Sequence, residues 1–221
     1  MIKLTFTNNK HPVEVDAESY ADAVRIASTD MGLSLDNIDL RYTRLNAADL
    51  TGISMPGASC QYADMSRTDL SDVNFCNADM RHADMSSATL TGAVFRDANL
   101  RYVKFNSAVL RDVDFRGADL RGADLCGADI GGADFRGAML GYSCFPLWYS
   151  SACGVRLDEN QITMLLYFAL SAGQYSDDPA IGALYKIPEL INLVNQSQHA
   201  LQYGEIQMRM QKDDESDGGL L

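Results

Sequence analysis

The chain has 221 residues, of which 47% are hydrophobic and 22% are charged, and its formal net charge is −12. This length accommodates one or two domains with a sizeable core. The negative charge and a pI near 4.5 disfavour binding to nucleic acid or to anionic membranes, and they favour basic partners. The N-terminus has no apolar leader segment and no stretch approaches 18 apolar residues, so the sequence predicts a cytoplasmic protein.

The inventory of reactive side chains argues against an enzyme. The three histidines fall in three different segments, and the chain contains no phosphate loop, no G-x-S-x-G and no H-E-x-x-H motif. The five cysteines have no C-x-x-C spacing, which predicts reduced thiols and neither a disulfide framework nor a zinc site. They are Cys60, Cys76, Cys126, Cys144 and Cys153. We therefore expect no catalysis, no cofactor and no metal.

Residues 1–35 are predicted to form a ββα module. Alternating apolar residues at Ile2, Leu4 and Phe6 predict a first strand, and residues 12–16 predict a second. A helix should follow, with Asp16 as its N-cap and Gly32 near its end. Its apolar stripe consists of Tyr20, Ala23, Val24, Ala27 and Met31. Since the ends of solenoids need covering, the module is expected to cap the next segment. A partner-docking role is the alternative.

Residues 36–147 follow a period of five. Every fifth residue from Leu40 to Phe145 is apolar, twenty-two times in succession, and residues 116–140 read RGADLRGADLCGADIGGADFRGAML. A step of five keeps these side chains on one inner surface only if the chain turns a corner in each quintet, which neither a helix nor a strand does. The uninterrupted period therefore predicts a stacked solenoid.

These quintets resemble the pentapeptide-repeat family, whose pattern is A(D/N)LXX. The resemblance implies a mainly β solenoid, a right-handed quadrilateral β-helix of about 22 repeats with four repeats per coil. The central apolar residue, called i, and the residue at i−2 should both point inward. Position i is Leu ten times and Phe six times, and i−2 is Ala fourteen times. Residues twenty apart should then stack, which places Phe75, Phe95, Phe115 and Phe135 in one inward column.

The pattern stops at Pro146. Residues 148–212 are predicted to form an α-helical region, with Asp158 and Gln161 as a capping box. Residues 213–221 form an acidic tail whose composition predicts disorder. The helical region is a candidate homodimer interface or a separate binding module.

Sorting the outward residues by the period of twenty gives two candidate binding surfaces. We define the acidic face as five aspartates on the column that runs from Leu50 to Ile130, which nets −4 against the single Arg111: Asp49, Asp69, Asp72, Asp112 and Asp129. We define the Arg/Tyr face as residues at i+1 and i+2 on the column of Leu40: Arg81, Arg101, Arg121, Tyr42, Tyr62 and Tyr102. His82 occupies the same series. Arginine and tyrosine often anchor protein interfaces, whereas ladders that pair only with neighbouring aspartates are the alternative interpretation.

The family resemblance implies DNA mimicry, because its best-known members look like duplex DNA and act on gyrase and topoisomerase IV. The leading hypothesis is an inhibitor or modulator of a DNA-handling protein, such as a topoisomerase or a phage-defence nuclease, which binds the acidic face. Quinolone-protection members carry loops on the coil. The register here never breaks, so loop-dependent protection of gyrase is not expected. The alternative is a non-enzymatic scaffold that uses the Arg/Tyr face and the terminal modules.

Overall fold

A computed structural model describes residues 1–8, 10–141, 143–144, 155–157 and 161. The contacts between residues divide the chain into two compact units, Met1–Leu157 and Asp158–Leu221. The helices and the acidic tail predicted beyond residue 161 lie outside the described residues. Among the described residues, no helix combines the length and the apolar character needed to cross a membrane.

The first unit opens with two strands, β1 (Ile2–Phe6) and β2 (Val13–Val15), which pair antiparallel. Their inward side chains are apolar, as the alternating pattern predicted, and Leu4 is almost completely buried. A third strand, β3 (Ile38–Asp39), pairs with the other side of β1, so the sheet order is β2-β1-β3. The N-terminal strands therefore lie in one sheet with the start of the repeats.

The helix α1 (Tyr20–Thr29) confirms the predicted element but corrects its ends. Ser19, not Asp16, is the N-cap, because its Oγ accepts a hydrogen bond from the Asp22 N–H at 3.1 Å. Asp16 instead lies exposed before the helix, 3.8 Å from the N-terminal amine. The buried stripe is narrower than predicted: Ala23, Val24 and Ala27 are buried, whereas Tyr20 and Met31 are exposed.

Each quintet turns one corner. The N–H at i+3 donates to the carbonyl oxygen of i, for example Ala83 to Met80 at 3.0 Å, which closes a β-turn. The second central residue, i+2, has a positive φ in each turn from Asn37 to Gly137, as a type II turn requires. This repeated turn bends the chain every five residues and confirms the predicted corner.

Successive coils are joined twenty residues apart, so four quintets make one coil. Residues at i−1 form parallel bridges, such as Asp64 with Asp84 and Asp84 with Lys104. Each such residue is a rung. Its own N–H and carbonyl bond to the preceding coil, and its two chain neighbours bond to the following coil. Position i−2 also points into this narrow interior: most of these residues are buried alanines, and the valines and isoleucines at i−2 are buried as well.

The predicted phenylalanine column is confirmed. Phe75, Phe95, Phe115 and Phe135 are fully buried on one wall and stack on one another with centroids 4.9–5.5 Å apart. Phe105 meets this column edge-on, 6.3 Å from Phe95 and 5.9 Å from Phe115. Large side chains at i thus fill the interior with stacked and T-shaped contacts.

Both ends of the repeat series differ from the sequence pattern. The first corner is at Leu35, one quintet before Leu40, because the Ile38 N–H donates to the Leu35 carbonyl. At the other end, Arg156 forms a rung opposite Asp134, two residues later than the period of twenty requires. The register therefore shifts after Cys144 while the backbone ladder continues.

The prediction that all cysteines are reduced is wrong for one pair. Cys126 and Cys144 form a disulfide, with their Cα atoms 5.7 Å apart. Position i+1 of one coil lies beside position i−1 of the next coil, so a separation of 18 residues brings the two thiols together. Cys60 and Cys76 are free.

The positive φ at i+2 predicts that replacing a glycine at this position with alanine lowers the stability of the protein. Gly52 has φ +70° and an added Cβ would meet no atom within 4 Å, so Gly52→Ala should lower the free energy of unfolding by about 1 kcal/mol through strain alone. Gly122 has the same φ, but its added Cβ would lie 2.5 Å from the Tyr102 ring, so Gly122→Ala should cost more. Urea denaturation of both variants checks this order, and an unchanged stability of Gly52→Ala would contradict it.

Candidate functional site

The acidic face is only partly contiguous. Its rungs run in the order Asp49, Asp69, Thr89, Val109 and Asp129. Asp49 and Asp69 are therefore direct neighbours, whereas two uncharged rungs separate them from Asp129. The period of twenty places all three aspartates on one face, as predicted. The uncharged rungs divide their negative charge into two groups.

The other two aspartates of the acidic face lie at the turns. Asp72 and Asp112 occupy i+2 positions with φ 57° and 55°, and both are exposed. Their side chains lie over the glycines of the next coil, Gly92 and Gly132, where an added Cβ would meet a carboxylate oxygen at 2.4 or 2.2 Å. Glycine in alternate coils thus leaves room for these two carboxylates at the surface.

Local hydrogen bonds hold two of the rung carboxylates. Asp49 accepts from the Thr51 N–H at 3.1 Å and from the Thr51 hydroxyl at 2.7 Å. These bonds hold the pKa of Asp49 below its usual value, the hydroxyl contributing most. Asp69 accepts the equivalent bonds from Ser71 at 3.0 and 2.7 Å. Both carboxylates are thereby fixed in orientation.

Asp129 differs from the rest of the acidic face because it is neutralised. Its Oδ2 lies 2.6 Å from Nε of Arg111. No ion pair within the described part of the chain involves the other four aspartates. The free negative charge of the face therefore rests on Asp49, Asp69, Asp72 and Asp112.

The tyrosines of the Arg/Tyr face form one continuous external ladder. Tyr42 stacks on Tyr62 with ring centroids 5.2 Å apart, and the planes differ by 2°. His82 continues the stack, 4.9 Å from Tyr62 and 5.0 Å from Tyr102. Tyr42, Tyr62 and Tyr102 keep 73%, 52% and 49% of their surface exposed, so ring edges and hydroxyls face outward. His82 is not part of the defined Arg/Tyr face, but its ring completes the ladder of tyrosines. The period of twenty in the sequence predicts its position in this ladder.

The arginines of this face are mostly paired within their own quintet. Arg81 lies 2.8 Å from Asp79, and Arg121 lies 2.6 Å from Asp119. Burial acts to raise the pKa of Asp79 and of Asp119, but the arginine hydrogen bonds outweigh it and lower both values. Arg101 has Asn99 in place of the aspartate and lies over the Tyr102 ring at 5.7 Å. Within the described residues, Arg101 is thus the arginine of this face that forms no ion pair within 4 Å, although its charge still acts to lower the pKa of Asp119.

A shallow hollow lies at the start of the ladder. It has a volume of about 240 Å³ and is lined by the i+1 and i+2 residues of three successive coils: Arg41, Tyr42, Gln61, Tyr62, Arg81 and His82. Oε1 of Gln61 is buried there with no hydrogen-bond partner among the described residues. The hollow is too small and open to hold an ordinary cofactor.

An arginine–aspartate network on the neighbouring column was not identified from the sequence. Asp114 accepts from Arg116 at 2.7 Å and also from Arg96. Asp134 lies 2.6 Å from Arg136 and is also within 4 Å of Arg116 and Arg156. Burial opposes the ionisation of Asp114, but these bonds hold its pKa well below the usual range. The signal was present as arginine at i+1 every twenty residues.

Two family models match the repeats. A model described as a pentapeptide repeat region matches residues 68–145, and a model of eight pentapeptide repeats matches residues 34–72. Together they span about half of the chain. A pentapeptide-repeat protein of the Arabidopsis thaliana thylakoid lumen is 32% identical, with 43% of this chain and 70% of that chain covered and a TM-score of 0.36. This chain belongs to the pentapeptide-repeat family.

Two further solved pentapeptide-repeat proteins share less sequence identity with this chain. Rfr23 of the cyanobacterium Cyanothece 51142 is 19% identical, with 63% of this chain and 95% of that chain covered and a TM-score of 0.30. QnrB1, a plasmid-mediated fluoroquinolone resistance protein, is 23% identical, with 56% and 81% covered and a TM-score of 0.28. No curated protein sequence matches significantly. Family membership therefore fixes the kind of repeat, while function depends on the outward side chains that the repeat carries.

Proposed function

We propose that this pentapeptide-repeat protein acts without catalysis, by binding another protein with the outer faces of its coil. Pentapeptide-repeat proteins are generally structural or interaction proteins. The support from this chain is a buried, stacked interior that holds the outward side chains in fixed columns. A surface with such fixed spacing can bind a partner with little loss of side-chain freedom.

The acidic face is the leading surface, and a DNA-handling protein such as a topoisomerase, gyrase or phage-defence nuclease is the leading partner. The observation that supports this is a set of four carboxylates on one face that form no ion pair within 4 Å among the described residues, although the charge of Arg25 also acts on Asp49. They are Asp49, Asp69, Asp72 and Asp112. A channel that binds DNA presents arginines and lysines to phosphates, so it would attract these carboxylates. In a phage, such binding would serve counter-defence.

The test compares two variants with equal charge. One replaces the four free carboxylates of the acidic face with asparagine, and the other makes the same change at Asp16, Asp36, Asp64 and Asp97. We expect the first variant to need at least about tenfold more protein to inhibit gyrase supercoiling or nuclease cleavage, and the second to act like wild type. Wild-type inhibition should also weaken steeply with added salt. Equal inhibition by both variants would refute the acidic-face proposal.

The Arg/Tyr face is the second candidate, and the stacked ladder of Tyr42, Tyr62, His82 and Tyr102 specifically favours it. These rings are pre-ordered, exposed and flanked by Arg101, and tyrosine and arginine dominate interface hot spots. In this proposal the protein is a scaffold whose terminal modules also bind. Removing residues 1–35 or residues 150–221 should then abolish separate interactions, whereas normal partner binding by both truncations would refute the scaffold.

The domain division into 1–35, 36–147, 148–212 and 213–221 also stands as a proposal. The pairing of β1 with β3 supports a capping role for the first module, because β1 covers a backbone edge at the start of the coil. Cytoplasmic localisation and homodimer formation through the C-terminal region remain predictions. Cell fractionation and sedimentation at several protein concentrations would check them.

A further inference from the structure

The Cys126–Cys144 disulfide occupies a recurring diagonal between coils. The side chain at i+1 of one coil reaches the side chain at i−1 of the next coil, 18 residues later. Elsewhere the same diagonal holds polar pairs: Arg96 with Asp114, Asn106 with Asp124, and Arg111 with Asp129. A contact that is reversible in the interior coils is therefore covalent at this one position.

Within the described residues, Cys144 is the last rung that keeps the period of twenty. The Cys144 N–H donates to Ala123 and its carbonyl accepts from Leu125, both at 3.0 Å. In the part of the chain that the structure describes, the next rung is Arg156, which comes two residues late in the register. The two bonds of Cys144 are the same two bonds to the preceding coil that an interior rung such as Asp84 makes with Ala63 and Met65. The disulfide thus adds a covalent tie to the two backbone bonds that join the Cys144 rung to the preceding coil.

The pair is also accessible, unlike the thiol inside the coil. Cys126 is exposed at a turn, whereas Cys60 is fully buried and burial raises the pKa of its thiol far above the usual value. Thiol–disulfide exchange requires that a thiolate reach one of the sulfurs, which is feasible at Cys126 and not at Cys60.

We propose that Cys126 and Cys144 form a reversible redox site that ties the Cys144 rung to the preceding coil when oxidised and releases it when reduced. The oxidant is a low-molecular-weight disulfide such as oxidised glutathione. One cysteine thiolate attacks it and forms a mixed disulfide with release of one thiol. The second cysteine then displaces the other thiol. In total two cysteine thiols are oxidised to one disulfide while one small disulfide is reduced to two thiols. In reducing surroundings the reverse reaction returns the disulfide to two cysteine thiols.

The test combines chemical labelling with hydrogen exchange on the full chain. In glutathione buffers of graded ratio, alkylation and mass spectrometry should show Cys126 and Cys144 changing together between one linked and two labelled forms. The Leu125 amide, which donates to Cys144, should exchange on the order of 100-fold faster in the reduced protein. The Met85 amide donates to Lys104 on the same column of an interior coil, and its exchange should not change.

Two variants keep the test decisive. Cys126→Ser/Cys144→Ser should show fast exchange at Leu125 in every buffer, while Cys76→Ser should keep the redox dependence of the wild type. Donor atoms of Asp124, Cys126 and Cys144 lie within 4.8 Å of one another, so native mass spectrometry must also check for a metal. Overturning outcomes are independent labelling of the two thiols, exchange at Leu125 that ignores the redox state, or a reduced pair that binds zinc and cannot be oxidised.

Discussion

Replacing Phe115 with alanine is expected to lower the free energy of unfolding by about 3–5 kcal/mol. Its ring is fully buried and stacks between Phe95 and Phe135 at 5.5 and 4.9 Å. Phe105 makes a third ring contact with Phe115, edge-on at 5.9 Å. Because backbone rungs fix the walls of the coil, the cavity cannot collapse, and the full cost of lost packing should appear. Guanidinium denaturation measures it.

The matched control is Tyr62→Ala, on the outside of the solenoid. Tyr62 also lies in the middle of a four-ring stack with a period of twenty, between Tyr42 and His82. It keeps 52% of its surface exposed, so truncation should cost less than about 1 kcal/mol. If the two substitutions destabilised the protein equally, the assignment of Phe115 to the interior would be wrong.

The second large effect concerns Asp134, whose loss should destabilise the coil by about 2 kcal/mol. Its carboxylate is only 8% exposed and is surrounded by Arg116, Arg136 and Arg156. Asp134→Asn would leave three guanidinium groups close together without their shared counter-charge. The arginines are 40–64% exposed, which screens the repulsion and keeps the cost below that of a fully buried pair.

The pH dependence of this contribution has a definite sign. The Arg136 hydrogen bond holds the pKa of Asp134 below its ordinary value of 3.8, and burial only partly opposes it. A lowered folded pKa gives stability that is complete above the unfolded value and is lost as the pH falls through the folded value. The difference between wild type and Asp134→Asn should therefore be constant from pH 7 to about 5 and shrink below about pH 4.

Asp64→Asn provides the control for this pair of measurements. Asp64 is also a rung residue, but its carboxylate accepts only from the backbone and hydroxyl of Ser66, at 3.1 and 2.7 Å. An asparagine side chain can accept the same bonds, so stability should change by less than about 1 kcal/mol. A similar loss in both variants, or a difference that persists undiminished at pH 3, would argue against a role for the arginine network.

Features that depend on the short period could be read from the sequence, because the period repeats one local conformation. The quintet predicted the corners, the inward Phe column and the shared face of Asp49 and Asp69. Features at the ends of the period could not be read in this way. The N-cap is Ser19 and not the predicted Asp16, because which of the nearby polar residues caps the helix depends on where the helix turns toward the sheet.

Contacts on the diagonal between coils were missed for a different reason. The charge count of the acidic face included Arg111, but it did not show that this arginine neutralises Asp129 and leaves the other four aspartates free. The same diagonal offset joins Cys126 to Cys144, although nothing in a C-x-x-C search finds a separation of 18. The period of twenty alone predicts neither contact, because the partners in each pair are 18 residues apart.

The sequence by itself determined the repeated turn and the inward-facing residues, because both depend on steric rules within five residues and on the removal of apolar side chains from water. Only the tertiary structure decided which outward groups pair, which aspartates stay free and which cysteines bond. Those outcomes depend on distances of a few ångströms between residues 18 to 20 apart in the chain, and the stacking of one coil on the next sets those distances.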